Sequence, residues 1–466
     1  MVERTPTQET TVRATTSLDP VQTVDDAVPT AGAATGTIAD PPPRDLTVDA
    51  LRALAIVAVA VGHWLVVVPT FTGGHFDGSN ALETVPLMRA LSWVFQVMPL
   101  FFVLGGYANA HSWRSAQRKG QPYHGWLRTR LVRLLRPSAV FVAVWVAVSV
   151  LLRGLGTDPE LVRLMAWLAV VPVWFLAVYV VVVAVAPAML ALHDRFGLVV
   201  PIVLAALATA VDAVRLGTEV AGVEWTNFFW VFLFAQQLGF FWVDGAFTRR
   251  RWTPVALVAG GLGALVLLTL VGPYPVSLVG VPGEAIANNA PPTITLIALG
   301  LAQTGLAVLA RDRIARLLQR PAALRPVVVL NQHAMTMLLW HFTALILVAV
   351  VVLPLGVVPT YPSGSLAWWC TRIAAVLVLC GPLAALVSVF GRFERGGAPA
   401  GPARPTRPDA VVTVAMLAGV VLSALAFALV ATGGLSTGRG WWGVPMVPVA
   451  LLVGAAALTR VGADPA

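Results

Sequence analysis

Asp49-Ala-Leu-Arg-Ala-Leu-Ala-Ile-Val-Ala-Val-Ala-Val-Gly-His-Trp64 is an apolar run that contains one cation, Arg52, and one imidazole, His63. As a membrane helix over about 49–69, it carries Arg52 near its start and His63 near its middle. Eleven residues separate the two by roughly 16 Å along the axis and bring them to within about 20° of one direction. Polar side chains that share one face of a membrane helix are costly and indicate a functional site.

Composition extends this interpretation to the whole chain. Hydrophobic residues make up 58% of the 466 residues and charged residues 11%, whereas soluble domains are about 45–50% apolar and about 25% charged. The apolar residues occur in runs of about 20, the length that crosses a hydrocarbon layer of roughly 30 Å. The sequence therefore predicts an all-α, polytopic transmembrane helix bundle whose main partner is the lipid bilayer.

The apolar runs predict twelve spans, a ten-span core followed by a C-terminal pair. Their approximate bounds are 49–69, 85–110, 137–153, 164–191, 198–215, 225–244, 252–272, 292–310, 326–354, 366–390, 410–432 and 442–460. We expect four parts: a disordered tail over 1–44, a membrane domain over 45–390, a linker over 391–409 and a C-terminal transmembrane pair over 410–460.

The basic residues are concentrated in loops that fall on one side of the twelve-span arrangement. The arginines and the lysine of these loops are Arg114, Arg118, Lys119, Arg128, Arg130, Arg133, Arg136, Arg249, Arg250, Arg251, Arg311, Arg313, Arg316, Arg320, Arg325, Arg392, Arg395, Arg404 and Arg407. The positive-inside bias places both termini in the cytoplasm of a multi-pass cell-membrane protein. The net charge of +9 is thus a topology signal and gives no support for nucleic-acid binding. No Cys/His spacing predicts a metal site.

Several motifs resemble, in order, those of the membrane-bound acyltransferase-3 family. They are Val48-Asp-Ala-Leu-Arg-Ala-Leu-Ala55 with His63, Pro99-Leu-Phe-Phe-Val-Leu-Gly-Gly-Tyr107, Arg130-x-x-Arg133-x-x-Arg136-Pro137, Val173-Trp-Phe-Leu176 and Leu339-Trp-His341. The resemblance covers about 45–390. Gly105 stands where the family usually has Ser, so no role for a hydroxyl at that position carries over.

The resemblance implies an integral-membrane O-acyltransferase. Such an enzyme moves an acyl group, often acetyl, from cytoplasmic acyl-CoA to a hydroxyl of a glycan, a lipid-linked saccharide or a small secreted product. Acyl-CoA is then a co-substrate, and no bound cofactor is expected. His63 would activate the acceptor hydroxyl or carry the acyl group, because a neutral imidazole can accept a proton or act as a nucleophile. The alternative is a satisfied hydrogen bond between spans.

The candidate donor-binding residues are arginines. Arg52 suits the phosphates of acyl-CoA, although an arginine at a helix end also commonly extends toward lipid head groups. Arg130, Arg133 and Arg136 recur every three residues, so on a helix they form a slowly drifting stripe. Anchoring by the positive-inside bias explains their charge, but not their regular spacing.

A second polar site is predicted in the ninth span, at His341 with Asn331. His341 is expected at a depth similar to that of His63, so the two histidines could flank one cavity. An interhelical hydrogen bond is the alternative for His341. For the whole chain, the alternatives to an enzyme are a transporter or flippase for an anionic or glycan substrate, and a catalytically silent scaffold.

Overall fold

The computed structural model describes residues 45–218, 220–394, 408–436 and 443–461. The predicted tail over 1–44 and residues 395–407 of the predicted linker lie outside the described residues. The described residues from Asp45 onward form one compact unit, and their regular secondary structure is helical except for one β-hairpin. The predicted polytopic helix bundle is therefore confirmed.

Sixteen α-helices can be numbered in the described residues. They are α1 (Leu46–Val66), α2 (Ala81–Thr84), α3 (Pro86–Phe95), α4 (Met98–Arg118), α5 (Tyr123–Gly154), α6 (Pro159–Val170), α7 (Trp174–Phe196), α8 (Val199–Gly217), α9 (Asn227–Val243), α10 (Thr253–Val266), α11 (Ile294–Leu318), α12 (Pro321–Gln332), α13 (Ala334–Val352), α14 (Leu366–Glu394), α15 (Asp409–Gly433) and α16 (Met446–Leu458).

Each of the twelve predicted spans corresponds to helix in the structure. In the described ranges, ten helical segments are long and apolar enough to cross a membrane, some of them formed by two consecutive helices. The other two predicted spans, 225–244 and 442–460, are the shorter helices α9 and α16, of 17 and 13 residues. We call the end of the bundle where α1 begins the proximal end, and the end where α1 stops the distal end.

Helix α1 begins and ends three residues earlier than its predicted span. The Asp45 side chain caps its start by accepting a hydrogen bond from the Thr47 amide at 3.0 Å. At the distal end, the β-branched residues after Val66 and the following Pro69 favour extended chain. Strand β1 (Val67–Thr72) pairs antiparallel with β2 (His75–Asn80). The sequence did not predict this hairpin, because its first residues continue the apolar run of α1.

Three predicted spans are each formed by two helices. In the span over 164–191, the short 3-10 turn Val171–Val173 separates α6 from α7. The span over 85–110 breaks between α3 and α4, and the Gln303 side chain of α11 satisfies the backbone at the break. Its amide nitrogen donates to Gln96 O at 2.8 Å, and its oxygen accepts from Leu100 N at 3.1 Å. The span over 326–354 breaks at His333, between α12 and α13. A polar side chain of α11 therefore satisfies the backbone at the break between α3 and α4.

Glycines allow α4 and α9 to pack with their backbones in contact. A Cβ atom at Gly106 would lie 2.3 Å from Gln236 O, and one at Gly239 would lie 2.1 Å from Val103 O. One turn earlier on each helix, the Phe102 and Phe232 rings stack with centroids 4.1 Å apart. This packing fixes α4, which runs from the distal end to the proximal end beside α1.

Charged side chains join the proximal ends of α4, α7 and α9. Arg114 contacts Asp244 at 2.6 Å and Asp194 at 2.8 Å. His193 Nε2 lies 3.0 Å from Asp244, and its Nδ1 lies 2.9 Å from Gln237 Oε1. Burial raises the pKa of the Asp244 carboxyl, but hydrogen bonds from Arg114 and His193 outweigh burial and hold that pKa below its ordinary value.

Candidate active site

His63 lies in the last turn of α1, at the distal end, and not near the middle of a span as predicted. The reason is the early end of α1 at Val66. The guanidinium of Arg372, on α14, donates to the carbonyl oxygens of Trp64 and Val67, the latter at 2.6 Å. Because the last carbonyls of a helix lack intrahelical partners, these bonds fix the turn that carries His63.

The structure brings His63 together with His341. His63 Nδ1 lies 2.9 Å from His341 Nε2, and the Trp64 indole donates to the His341 carbonyl oxygen at 2.9 Å. His341 is completely buried on α13, and the Trp145 indole of α5 donates to Thr343 on the same helix at 3.0 Å. Helices α1, α5 and α13 therefore position the two rings against each other.

The hydrogen-bond network assigns the ring protons. His341 Nδ1 lies 2.8 Å from the Leu338 carbonyl oxygen, which only accepts, so this nitrogen carries a proton. In the neutral ring, His341 Nε2 is then the acceptor, and His63 Nδ1 is the donor. His63 Nε2 consequently keeps an unprotonated lone pair. It also has no hydrogen-bond partner within the part of the chain that the structure describes.

A cavity of about 90 Å³ lies beside His63. It extends from Val59 on α1 to the loop between α10 and α11, which contributes Val279 and Asn289. His341 does not line this cavity. His63 lines this cavity, and Nε2 is its ring nitrogen that His341 does not engage. A basic nitrogen that faces a space of this size is suited to accept a proton from a bound hydroxyl.

Arg52 and Arg130 lie on the proximal side of His63 and act on the same phenol. Their charges both reach the hydroxyl of Tyr179 on α7. The Arg52 guanidinium forms an ion pair with the Asp49 carboxylate one turn earlier, at 3.7 Å. Arg130 packs 3.8 Å above the Trp126 ring and donates to Ser112 Oγ. Arg52, with its partner Asp49, and Arg130 thus bring two guanidinium groups to the proximal side of His63, and such groups suit an anionic ligand.

The other predicted site residues lie elsewhere. Arg133 and Arg136 are exposed, whereas Arg130 is half-buried, so the predicted stripe turns away from the bundle after its first member. Asn331 is on α12, where its amide donates to the carbonyl oxygens of Asp49 and Val327. The helix break at His333 separates it from His341. The predicted pair therefore does not form one polar site.

Tyr179 and Arg372 are not among the site residues predicted from the sequence. No hydrogen bond involves the Tyr179 hydroxyl among the described residues. Its ring packs over Gly105, where a Cβ atom would be 3.3 Å from Tyr179 Cε2. The signals available in the sequence were a glycine at the family's serine position and an arginine inside the apolar run over 366–390.

The loop between α10 and α11 forms part of the cavity wall through Val279 and Asn289. The buried Asn288 donates to the carbonyl oxygens of Pro275 and Ser277, both at 2.8 Å. Glu284 pairs with Arg89 of α3 at 3.0 Å. The polar residues of this loop thus mostly fold the loop itself and attach it to α3.

A comparison with protein families gives one match. A family model described as an acyltransferase domain matches residues 45–387. This range includes Arg52, His63, Arg130 and His341, and it leaves out α15 and α16. No curated protein and no solved structure matches the chain.

Proposed function

The chain belongs to the acyltransferase-3 family of integral-membrane proteins, and we propose that it is an O-acyltransferase that uses acyl-CoA, with His63 as the general base. The observation that carries this proposal is the His63–His341 hydrogen bond of 2.9 Å, which leaves a basic Nε2 atom at the edge of a cavity. An acyltransferase needs such a base, because an uncharged alcohol is a weak nucleophile.

The reaction requires one proton acceptor and returns it unchanged. The acceptor hydroxyl gives its proton to His63 Nε2 while its oxygen forms a bond to the thioester carbonyl carbon. The carbon–sulfur bond breaks, and the CoA thiolate leaves with the proton from His63. The products are an ester and CoA. During the step, the lone pair of His341 Nε2 accepts the hydrogen bond of the charged His63 ring and stabilises it.

Arg52 and Arg130 are proposed to bind the phosphates of the donor. The separation between Arg52 and His63 along α1, about 16 Å, suits the pantetheine arm that links the phosphates to the thioester. That arm has about thirteen bonds and spans roughly 15 Å if it extends like a peptide, by about 3.5 Å per three bonds. The unpartnered Tyr179 hydroxyl lies near both arginines and is available to an amide of the arm.

We further propose that donor and acceptor approach from opposite ends of the bundle. The basic loops support a cytoplasmic proximal end, both termini in the cytoplasm, and location in the cell membrane. Acyl-CoA then enters at Arg52 and Arg130 as a co-substrate, with acetyl as the proposed acyl group. The acceptor hydroxyl reaches His63 from the distal end, as a glycan, a lipid-linked saccharide or a small secreted product.

The test uses purified protein in lipid nanodiscs with radiolabelled acetyl-CoA. A panel of glycans, lipid-linked saccharides and small alcohols serves as acceptors, and wild type is compared with His63→Ala and Arg52→Ala. We expect label transfer by wild type, its loss in His63→Ala, and a raised KM for acetyl-CoA in Arg52→Ala. Label transfer that is unchanged in a folded His63→Ala protein would contradict the proposal. Substrate flux across proteoliposomes without acyl transfer would instead identify a transporter.

A further inference from the structure

The surface of the cavity beside His63 is mostly apolar. Its walls include Val59, Met88, Leu91, Phe95, Trp174 and Phe175. Two of its polar side chains are engaged with the neighbouring loop. Ser92 Oγ accepts from Leu278 N at 2.8 Å, and the Gln96 amide donates to Leu278 O at 3.1 Å. The group that fits this space therefore presents hydrocarbon to most of the wall.

The volume of the cavity limits what it can hold. A cavity of about 150 Å³ accommodates a benzene molecule, which has six carbon atoms. In proportion, the 90 Å³ beside His63 holds about four non-hydrogen atoms. An acetyl group has three such atoms beyond the sulfur, and a propionyl group has four.

Phe95 is the wall residue most directly set against the reacting end of α1. Gly62 precedes His63, and a Cβ atom at Gly62 would lie 3.1 Å from Phe95 Cβ and 3.3 Å from Phe95 Cγ. The ring therefore packs against the backbone of α1 itself. Helix α1 on one side and the Ser92 and Gln96 contacts on the other therefore hold Phe95 in place in this wall.

We propose that this cavity binds the whole acyl group, carbonyl included, and that Phe95 limits the chain to two or three carbons. The inference rests on the proposed function, because it takes the acyl carbonyl to be at His63 Nε2 with the pantetheine arm on the proximal side. The alkyl chain then continues away from the arm into the apolar space. Selection by size follows, since each methylene that a hydrophobic pocket cannot hold costs roughly tenfold or more in kcat/KM.

The experiment is a chain-length series of donors on the full-length protein in nanodiscs. Acetyl-, propionyl-, butyryl- and hexanoyl-CoA are compared by CoA release with an acceptor from the panel, and by the rise in unfolding temperature that each donor causes, which needs no acceptor. The variant is Phe95→Ala. The matched control is Phe393→Ala, a half-buried phenylalanine on α14 that does not line the cavity.

We expect wild type and Phe393→Ala to prefer acetyl- and propionyl-CoA over hexanoyl-CoA by at least tenfold, and Phe95→Ala to lose that preference by gaining hexanoyl activity. A gain of activity cannot come from misfolding. A flat profile in wild type, or an unaltered profile in folded Phe95→Ala, would overturn the inference and leave the cavity to the acceptor. If no acyl-CoA stabilises the wild-type protein or releases CoA, the proposed function itself fails.

Discussion

The Nδ1 atom of His63 and the Nε2 atom of His341 lie 2.9 Å apart, although 278 positions separate the two residues in the sequence. The Leu338 carbonyl fixes the proton of His341 on its Nδ1 atom, so this one contact determines which nitrogen of His63 is basic. The relationship resembles that of a base and its orienting partner in acyl-transfer enzymes, with a histidine in the orienting position.

His341→Leu is expected to lower kcat by roughly tenfold to hundredfold and to leave the KM for acyl-CoA nearly unchanged. The loss should be smaller than the 10²–10⁴-fold that a general base contributes, because His63 itself remains. His341→Gln retains an acceptor oxygen and should recover part of kcat. A rise in KM with constant kcat in His341→Leu would show that the residue binds substrate and does not orient the base.

Arg52→Ala and Arg130→Ala should each raise the KM for acetyl-CoA by roughly tenfold or more, since a hydrogen bond to a charged group contributes about 1.5–3 kcal/mol. Neither change should affect a short thioester donor that lacks the phosphates. Arg133→Ala is the matched control, because Arg133 is exposed one turn along the same helix. Equal effects of all three substitutions would indicate a general loss of surface charge.

Gly106→Ala should lower the free energy of unfolding by about 1–3 kcal/mol, the usual cost of overpacking. The added Cβ atom would lie 2.3 Å from Gln236 O and push α4 and α9 apart. The control is Gly260→Ala on α10, where no atom lies within 4 Å and where the better helix propensity of Ala should stabilise slightly. Unfolding temperatures in nanodiscs measure both. Equal shifts in the same direction would contradict the close backbone contact.

Asp244→Asn should destabilise the protein near neutral pH by about 1–2 kcal/mol, at the low end for charged hydrogen bonds because the carboxylate is partly exposed. The substitution removes the charged contacts of Asp244 with Arg114 and His193. Arg114 keeps its ion pair with Asp194. The folded pKa of Asp244 is lowered, so its stabilisation is complete above the unfolded pKa of about 3.9 and is lost as pH falls through the folded value. Unfolding temperatures between pH 3 and pH 7 should converge for wild type and variant at the acid end. A constant difference across this range would contradict the account.

The helical bundle could be predicted from the sequence because apolar runs of span length leave few other folds. The shared face of Arg52 and His63 followed from helix geometry alone. The position where α1 ends could not be predicted, because Val66, Val67 and Val68 fit an apolar helix and an apolar strand equally well. Hydropathy does not distinguish the two, and only Pro69 marked the change.

For His341, the partner of His63, the sequence predicts the level along the bundle but not the contact itself. The sequence suggested that His341 reaches a similar level of the bundle, but which spans are neighbours depends on packing between distant segments. The same limit applies to Tyr179, whose position beside Arg52 and Arg130 depends on the missing side chain at Gly105. Arg133 and Arg136 are exposed because a spacing of three residues drifts around a helix and turns them outward.

The central claim is that His63 Nε2 takes the proton of the acceptor hydroxyl, and the most direct measurement is kcat for acyl transfer from acetyl-CoA by His63→Ala. Acetyl-CoA should still raise the unfolding temperature of this variant as it does that of wild type, because Arg52 and Arg130 remain. The account predicts intact donor binding with a kcat lowered by about 10²–10⁴-fold. Intact donor binding with a kcat equal to that of wild type would contradict it.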